Sequence, residues 1–177
     1  MLIRYFDLFL KDNMDRIIFL NQINNVLPEG IKVLDARQVP EDVKSLQAII
    51  NTAVYTLKMQ FKNKINKKEE KQIINNFINK EQIIITRFRR NKDDREINLK
   101  PMIYDAQLKK SGEWQFTVDT GSSGNVRPSE INRALIERYQ EIKKIPVTNI
   151  IREKMLVRIN ENFYLPFAKK VIRGGEK

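Results

Sequence analysis

The sequence predicts an α+β fold with an antiparallel sheet. Three observations carry this reading. Trp114, Phe116 and Val118 alternate with Gln115, Thr117 and Asp119, the period-2 pattern of a strand with one buried face. Two stripes at helical spacing, Ile73, Ile74, Phe77 and Ile78, then Ile131, Ala134, Leu135, Arg138, Tyr139 and Ile142, mark amphipathic helices. From Ala53 onward the segments run β-α-β-β-β-α-β. With the extra strand of the hairpin set aside, this is the split β-α-β, ferredoxin-like plan. An opening β-α-β reads as a first, incomplete unit of the same kind, giving boundaries at 1–44, 45–167 and a basic tail at 168–177.

The elements follow in order. Leu2 to Lys11 reads as a strand with apolar residues on both faces. Asp12 and Asn13 offer N-caps to a helix carrying Ile17, Leu20, Ile23 and Leu27, which Pro28-Glu29-Gly30 stops. Ile31 to Arg37 reads as a second strand, Ser45 to Thr52 as a short helix, and Ala53 to Phe61 as a strand. Asn66-Lys67-Lys68-Glu69 has the form of a capping box, with Asn in place of the usual Ser or Thr. Strands are expected at Gln82–Arg89, Glu96–Met102 and Ile103–Lys109, and Ser111-Gly112 turns the chain into Trp114–Val118. Pro128 suits a first helical position, and Pro146 ends the helix it opens. Asn149 to Ile159 is the last long strand.

The chain has 177 residues, with 41% hydrophobic and 31% charged, so it can bury a core. Cysteine and histidine are both absent. Disulfides, Cys/His zinc sites and Ser-His-Asp or Cys-His catalysis are thereby excluded. No second acid at a readable spacing joins Asp35 or Asp105 in a metal or acid–base pair. No catalytic residue, metal ligand or cofactor is assigned, and the expectation is a chain that is not an enzyme on its own. No window reaches the ~20 apolar residues of a membrane span, and the start lacks the pattern of a signal peptide; a cytoplasmic protein is the default.

The net charge is +11. Residues 62–100 hold 12 basic and 6 acidic side chains, and residues 143–177 hold 9 and 3, so these two segments carry the whole excess. Meeting on one face, they form a cationic patch able to attract phosphates; apart, they are solvated faces of ordinary elements. Within them, Arg87-Phe88-Arg89-Arg90-Asn91-Lys92, with Arg95 across the turn, interleaves cations with an aromatic. Such a finger tracks a phosphate backbone while Phe88 stacks on a base, although Asp93 and Asp94 offset part of the charge and a core position for Phe88 is the plainer reading. The loop Thr120 to Arg127 runs into a helix N-terminus, where free N–H groups around Gly124 and the Arg127 cation suit an anion. It lacks the Gly-Lys-Ser/Thr ending of a P-loop, and a simple strand-to-helix turn is the plainer reading. Lys67 to Lys71 reads as a solvated helix face, and Trp114 and Tyr139 as core.

Several short stretches resemble one family. Leu27-Pro28-Glu29-Gly30-Ile31-Lys32-Val33-Leu34-Asp35-Ala36-Arg37 is similar to the centre of the bacterial radical-SAM-linked proteins, a family of unknown function. Further matches follow in order at Ser45-Leu46, Ala53-Val54-Tyr55, Ile97-Asn98-Leu99-Lys100-Pro101, Gly124 to Glu130 and Ile151-Arg152. The resemblance implies association with a radical S-adenosylmethionine enzyme carrying a cobalamin-binding domain, fused or encoded nearby. It also implies that the family's opening segment, with its histidines, is lacking here.

The expected function is a non-catalytic accessory module beside a radical-SAM enzyme, binding RNA or a ribonucleoprotein through Arg87, Arg89, Arg90, Lys92, Arg95, Gly124 and Arg127. The alternative is a protein-interaction module whose basic face docks an acidic partner domain. An exposed first strand forgoes ~1.5–3 kcal/mol per large side chain. Residues 1–40 are therefore expected to be unstable alone or covered by a partner or a second copy, so that Leu2, Phe6 and Leu10 should not all be buried within their own chain.

Overall fold

The computed structural model describes residues 4–40, 42–88, 93–121, 124–168 and 171. Its elements in chain order are α1 (Arg16–Val26), α2 (Leu46–Ile49), β1 (Thr52–Lys58), α3 (Lys67–Ile78), β2 (Ile84–Arg87), β3 (Arg95–Asn98), β4 (Ile103–Lys110), β5 (Glu113–Asp119), α4 (Pro128–Ile136), β6 (Ile150–Ile159) and β7 (Asn162–Tyr164). Short 3-10 turns precede β4 and β6.

One sheet has the order β4-β5-β1-β6-β7, and every neighbouring pair is antiparallel. Without β7 this is the ferredoxin-like order, with β5 inserted between β1 and β4 as the split β-α-β plan requires. The hairpin β2–β3 is an insertion between α3 and β4 and forms its own two-stranded sheet.

The registers assign the two faces. Leu57 lies opposite Trp114, Tyr55 opposite Phe116 and Ala53 opposite Val118. The side chains of Leu57, Trp114, Phe116 and Val118 share one core with Ile74 and Phe77 of α3 and Ile131, Ala134 and Leu135 of α4, to which Ile83, Ile85 and Leu99 of the hairpin region also belong. Phe77 and Phe116 meet edge to face at 6.3 Å. The capping box at Asn66 is present: Asn66 Oδ1 accepts from the backbone N–H groups of Lys68 and Glu69, and Glu69 accepts from that of Asn66 at 2.7 Å.

The other face is polar and concave. In a flat sheet β4 and β7, four positions apart, would stand ~19 Å from each other. Yet the Tyr104 ring of β4 lies 5.6 Å from the Phe163 ring of β7, and Arg158 of β6 sits over Tyr104 at 4.3 Å. The sheet therefore curls until its edges touch. That curl buries Thr52, Thr56, Gln115 and Asp119 on the side without helices. They are satisfied internally: Glu153 accepts from Thr56 and Gln115 at 2.6 Å each, and Asp119 accepts from the Tyr104 hydroxyl. A bulge in β6 opposite Val54 and Tyr55 supplies part of the bend.

The seam has a pH signature. Burial, then the Asp119 hydrogen bond and charge, push the Tyr104 hydroxyl up to about 12, against a weaker opposing pull from Arg158. A raised folded value means that the contribution is complete below the unfolded value of 10.0 and is lost as pH climbs toward 12. Urea midpoints should fall over that interval in the native chain, and Tyr104→Phe should fall less; identical profiles would contradict the assignment.

Several expectations are corrected. Neither residues 4–10 nor 31–37 form a strand, so only the helix of the opening β-α-β exists. Helix α1 starts at Asp15 rather than Asp12 or Asn13, because the Asp15 carboxylate accepts the N–H groups of Ile17 and Ile18. Helix α4 ends at Ile136, well before Pro146; the chain then unwinds so that Ile142 can pair with Phe61 across an isolated antiparallel bridge. Phe88 is not core: it is 68% exposed, with the Arg133 guanidinium 5.4 Å from its ring centre.

Candidate nucleic-acid interface

Of the residues the sequence singles out, Arg89, Arg90 and Lys92 lie outside the described residues. Arg87 is engaged in the fold. Its Nε and Nη2 each reach a carboxylate oxygen of Glu130 at 2.7 Å, and Nη2 also donates to the Asn125 carbonyl at 2.8 Å. Two further arginines of α4 and its end serve the same hairpin. Arg133 donates to the Thr86 carbonyl, and Arg138 donates to the Ile84 carbonyl at 2.8 Å. These carbonyls belong to the open edge of β2, so the arginines satisfy groups that an edge strand leaves unpaired. Arg95 stands opposite Arg87 in the β2–β3 register and is exposed, as is Arg127.

The loop before α4 faces carboxylates. The Arg127 N–H donates to Glu130 at 3.0 Å, so one of the helix's free donors is taken. A Cβ on Gly124 would stand 3.0 Å from an Asp119 carboxylate oxygen, so a larger residue there would have to displace the Asp119 side chain. Burial raises the Glu130 carboxyl, but the Arg87 hydrogen bond and the Arg127 N–H lower it further, leaving it below its ordinary value.

The two basic segments do meet, at the other end of the sheet. The Phe61–Ile142 bridge is fixed by the Lys62 N–H donating to the Glu141 carbonyl and the Lys143 N–H donating to the Gln60 carbonyl, each at 2.8 Å. Lys62 and Lys64 are thereby brought beside Lys143 and Lys144. The first turns of α3, with Lys67, Lys68 and Lys71, flank the same end. They are anchored there by Glu70, whose carboxylate accepts from Ser111 Oγ at 2.5 Å and from Gly112 N and Trp114 Nε1 at 2.8 Å each. All seven lysines are exposed, and among the described residues none has an ion-pair partner. A depression of about 360 Å³ lies beside two of them, lined by Phe61, Lys62, Lys64, Glu70 and Ser111.

Sequence reasoning marked both segments but not their meeting point, because a single bridge between two irregular stretches leaves no periodic trace. It also read Lys67–Lys71 as wholly solvated, whereas Glu70 is 1% exposed. Among the described residues no group of three or more acids could hold a metal ion, and no helix is long and apolar enough to cross a membrane.

No curated protein and no solved structure matches the chain. The family model described as an uncharacterized protein conserved in bacteria (DUF2344) matches residues 4–128, most of the chain, and the protein therefore belongs to that family.

Proposed function

We propose that this protein is a non-catalytic accessory module that binds RNA or a ribonucleoprotein through its lysine-rich end and works beside a radical-SAM enzyme. The observation that supports the RNA reading is the Phe61–Ile142 bridge, which brings exposed lysines of two separate basic segments, Lys62 and Lys143, to the same place. Lysine ammonium groups are point charges suited to phosphate oxygens and indifferent to base identity. The association with a radical-SAM enzyme is supported by the resemblance in residues 27–37 and the later short matches.

In this reading the main phosphate contacts are Lys62, Lys64, Lys67, Lys68, Lys143 and Lys144. Arg95 and Arg127 are peripheral, and Arg87 is a strut. The test is binding of a mixed single-stranded RNA across a salt series. Each phosphate contact contributes about −0.7 to the slope of log affinity against log salt. A Lys62→Ala/Lys64→Ala/Lys143→Ala/Lys144→Ala chain should show a slope shallower by about 2 to 3. Arg95→Ala and Arg127→Ala should each change it by clearly less than the ~0.7 of a full contact. Absence of binding by the native chain at low salt would overturn the RNA reading and leave the surface to an acidic protein.

A further inference from the structure

The depression beside Lys62 and Lys64 mixes two kinds of chemistry. Its volume of about 360 Å³ lies at the small end of the ~300–1,000 Å³ of small-molecule sites. The half-buried Phe61 and the two lysines line it, and so do Glu70 and Ser111, two oxygen-bearing side chains in a cationic neighbourhood.

Those oxygens keep acceptor capacity. Ser111 Oγ donates to Glu70 Oε1 across 2.5 Å, so the two acceptors are adjacent. An ionised carboxylate offers about four lone-pair sites. Glu70 uses three of them, on Ser111 Oγ, Gly112 N and Trp114 Nε1. Oε2 takes both N–H donors, so the spare site is on Oε1. Ser111 Oγ receives no hydrogen bond among the described residues, and its own lone pairs are open as well.

This arrangement sorts ligands. A phosphate is repelled by the carboxylate and held by the lysine ammonium groups. A metal ion finds one carboxylate and is repelled by the lysines. Two adjacent acceptors fit a neutral edge that carries two adjacent N–H donors. Among the four RNA bases that edge belongs to guanine, with its N1–H and N2 amine. Adenine and cytosine set one amine beside an acceptor, and uracil flanks its N–H with carbonyls. The guanine O6 needs a donor in turn. The N–H groups of Asn63 and Lys64 line the same depression and enter no hydrogen bond among the described residues. Phe61 offers an aromatic surface to the ring.

We infer that the depression holds the guanine ring of one unpaired RNA nucleotide. Glu70 Oε1 and Ser111 Oγ accept from its pairing edge, Phe61 packs on the ring, and Lys62 and Lys64 hold the neighbouring phosphates. The inference rests on the RNA binding proposed above and adds a choice of base to lysines that make none.

Calorimetric titration of the native chain should give GMP the tightest binding, by about tenfold over AMP, CMP and UMP. Inosine monophosphate keeps N1–H but lacks the amine, and should bind about tenfold more weakly than GMP. Occupation should change the emission of Trp114, the single tryptophan, whose indole N–H shares the Glu70 carboxylate. Ser111→Ala should lower GMP affinity by about tenfold and leave UMP unchanged. In the RNA arm, an oligouridine is compared with the same oligomer carrying one internal guanosine. The guanosine should tighten binding by about tenfold without changing the salt slope. Equal affinities for GMP and UMP, or for GMP and inosine monophosphate, would overturn the inference. Oligouridine binding with a steep salt slope and no gain from guanosine would remove the base site while the lysine surface stands. A preference for GMP with neither oligomer bound would overturn the RNA source and make the occupant a free guanine nucleotide.

Discussion

Replacing Glu70 with alanine is expected to lower stability by about 3 kcal/mol, a fall of roughly 6–12 °C in Tm for a chain of this length. The Glu70 carboxylate is the shared acceptor for three donors from the β4–β5 turn and strand β5. Trp114 is wholly buried, so its indole N–H has no route to water once the carboxylate is gone, and an unpaired buried donor costs ~1–3 kcal/mol. The Gly112 N–H loses its partner too, although the neighbouring depression lets water approach it, which keeps the estimate from rising further. Glu70→Gln is the informative control. The amide oxygen can accept from Gly112 and Trp114, while the amide nitrogen donates to the Ser111 hydroxyl, which serves as donor or acceptor. It should cost only about 1 kcal/mol, the difference between charge-assisted and neutral bonds. Equal losses for alanine and glutamine, by urea unfolding at pH 7, would mean that the charge rather than the bonding pattern matters. The same substitution bears on function, because Glu70 fixes the first turns of α3 beside the Phe61–Ile142 bridge. Glu70→Ala should weaken RNA binding through disorder of Lys67 and Lys68, with Lys143 and Lys144 unaffected.

The parts of the molecule legible in the sequence are those with long, regular patterns. Trp114 to Val118, the stripe Ile73 to Ile78 and the Asn66 box appear where periodicity and capping chemistry place them, since each is fixed by residues close in sequence. The opening strands were not legible as absences. Leu2 to Lys11 has strand composition, but a strand also needs a neighbour to pair with, and pairing is a tertiary fact. Helix α4 reads longer than it is because Arg138, Tyr139 and Ile142 keep the apolar period. They lose the helix to a competing demand: Ile142 is buried against Phe61 and Arg138 reaches the Ile84 carbonyl. Phe88 reads as core from its type alone, yet just past the end of β2 it stands exposed, under Arg133. For the candidate site, local charge density pointed to the hairpin arginines. Nothing local reveals that Glu130, forty-three positions on, neutralises Arg87.

That ion pair carries the second large effect. Arg87 and Glu130 meet through two parallel bonds of 2.7 Å, with the glutamate side chain 7% exposed and the arginine 22%. Removing one partner of such a pair strands the other in a poorly hydrated place, and losses of ~3 kcal/mol are typical. Glu130→Ala should lose about that much, since it also frees the Arg127 N–H at the start of α4. Arg87→Lys should fall between native and alanine, because an ammonium keeps the charge but not the fork. The double change Arg87→Met/Glu130→Leu should cost less than the sum of the single ones, because it leaves no stranded charge. The pH dependence has a fixed sign. The Glu130 carboxyl is held below its ordinary value of 4.5, so its contribution is complete above that value and is lost as pH falls through the lower folded one. Urea midpoints of the native chain should therefore drop more steeply below about pH 4.5 than those of Glu130→Gln. The pair also separates a strut from a contact. If Arg87 holds the hairpin against α4 and touches no phosphate, Arg87→Ala lowers the urea midpoint but leaves the salt slope of RNA binding unchanged. A slope reduced by about 0.7 at temperatures where the variant is fully folded would instead make Arg87 a phosphate ligand, and would extend the cationic surface from the lysine end to the hairpin.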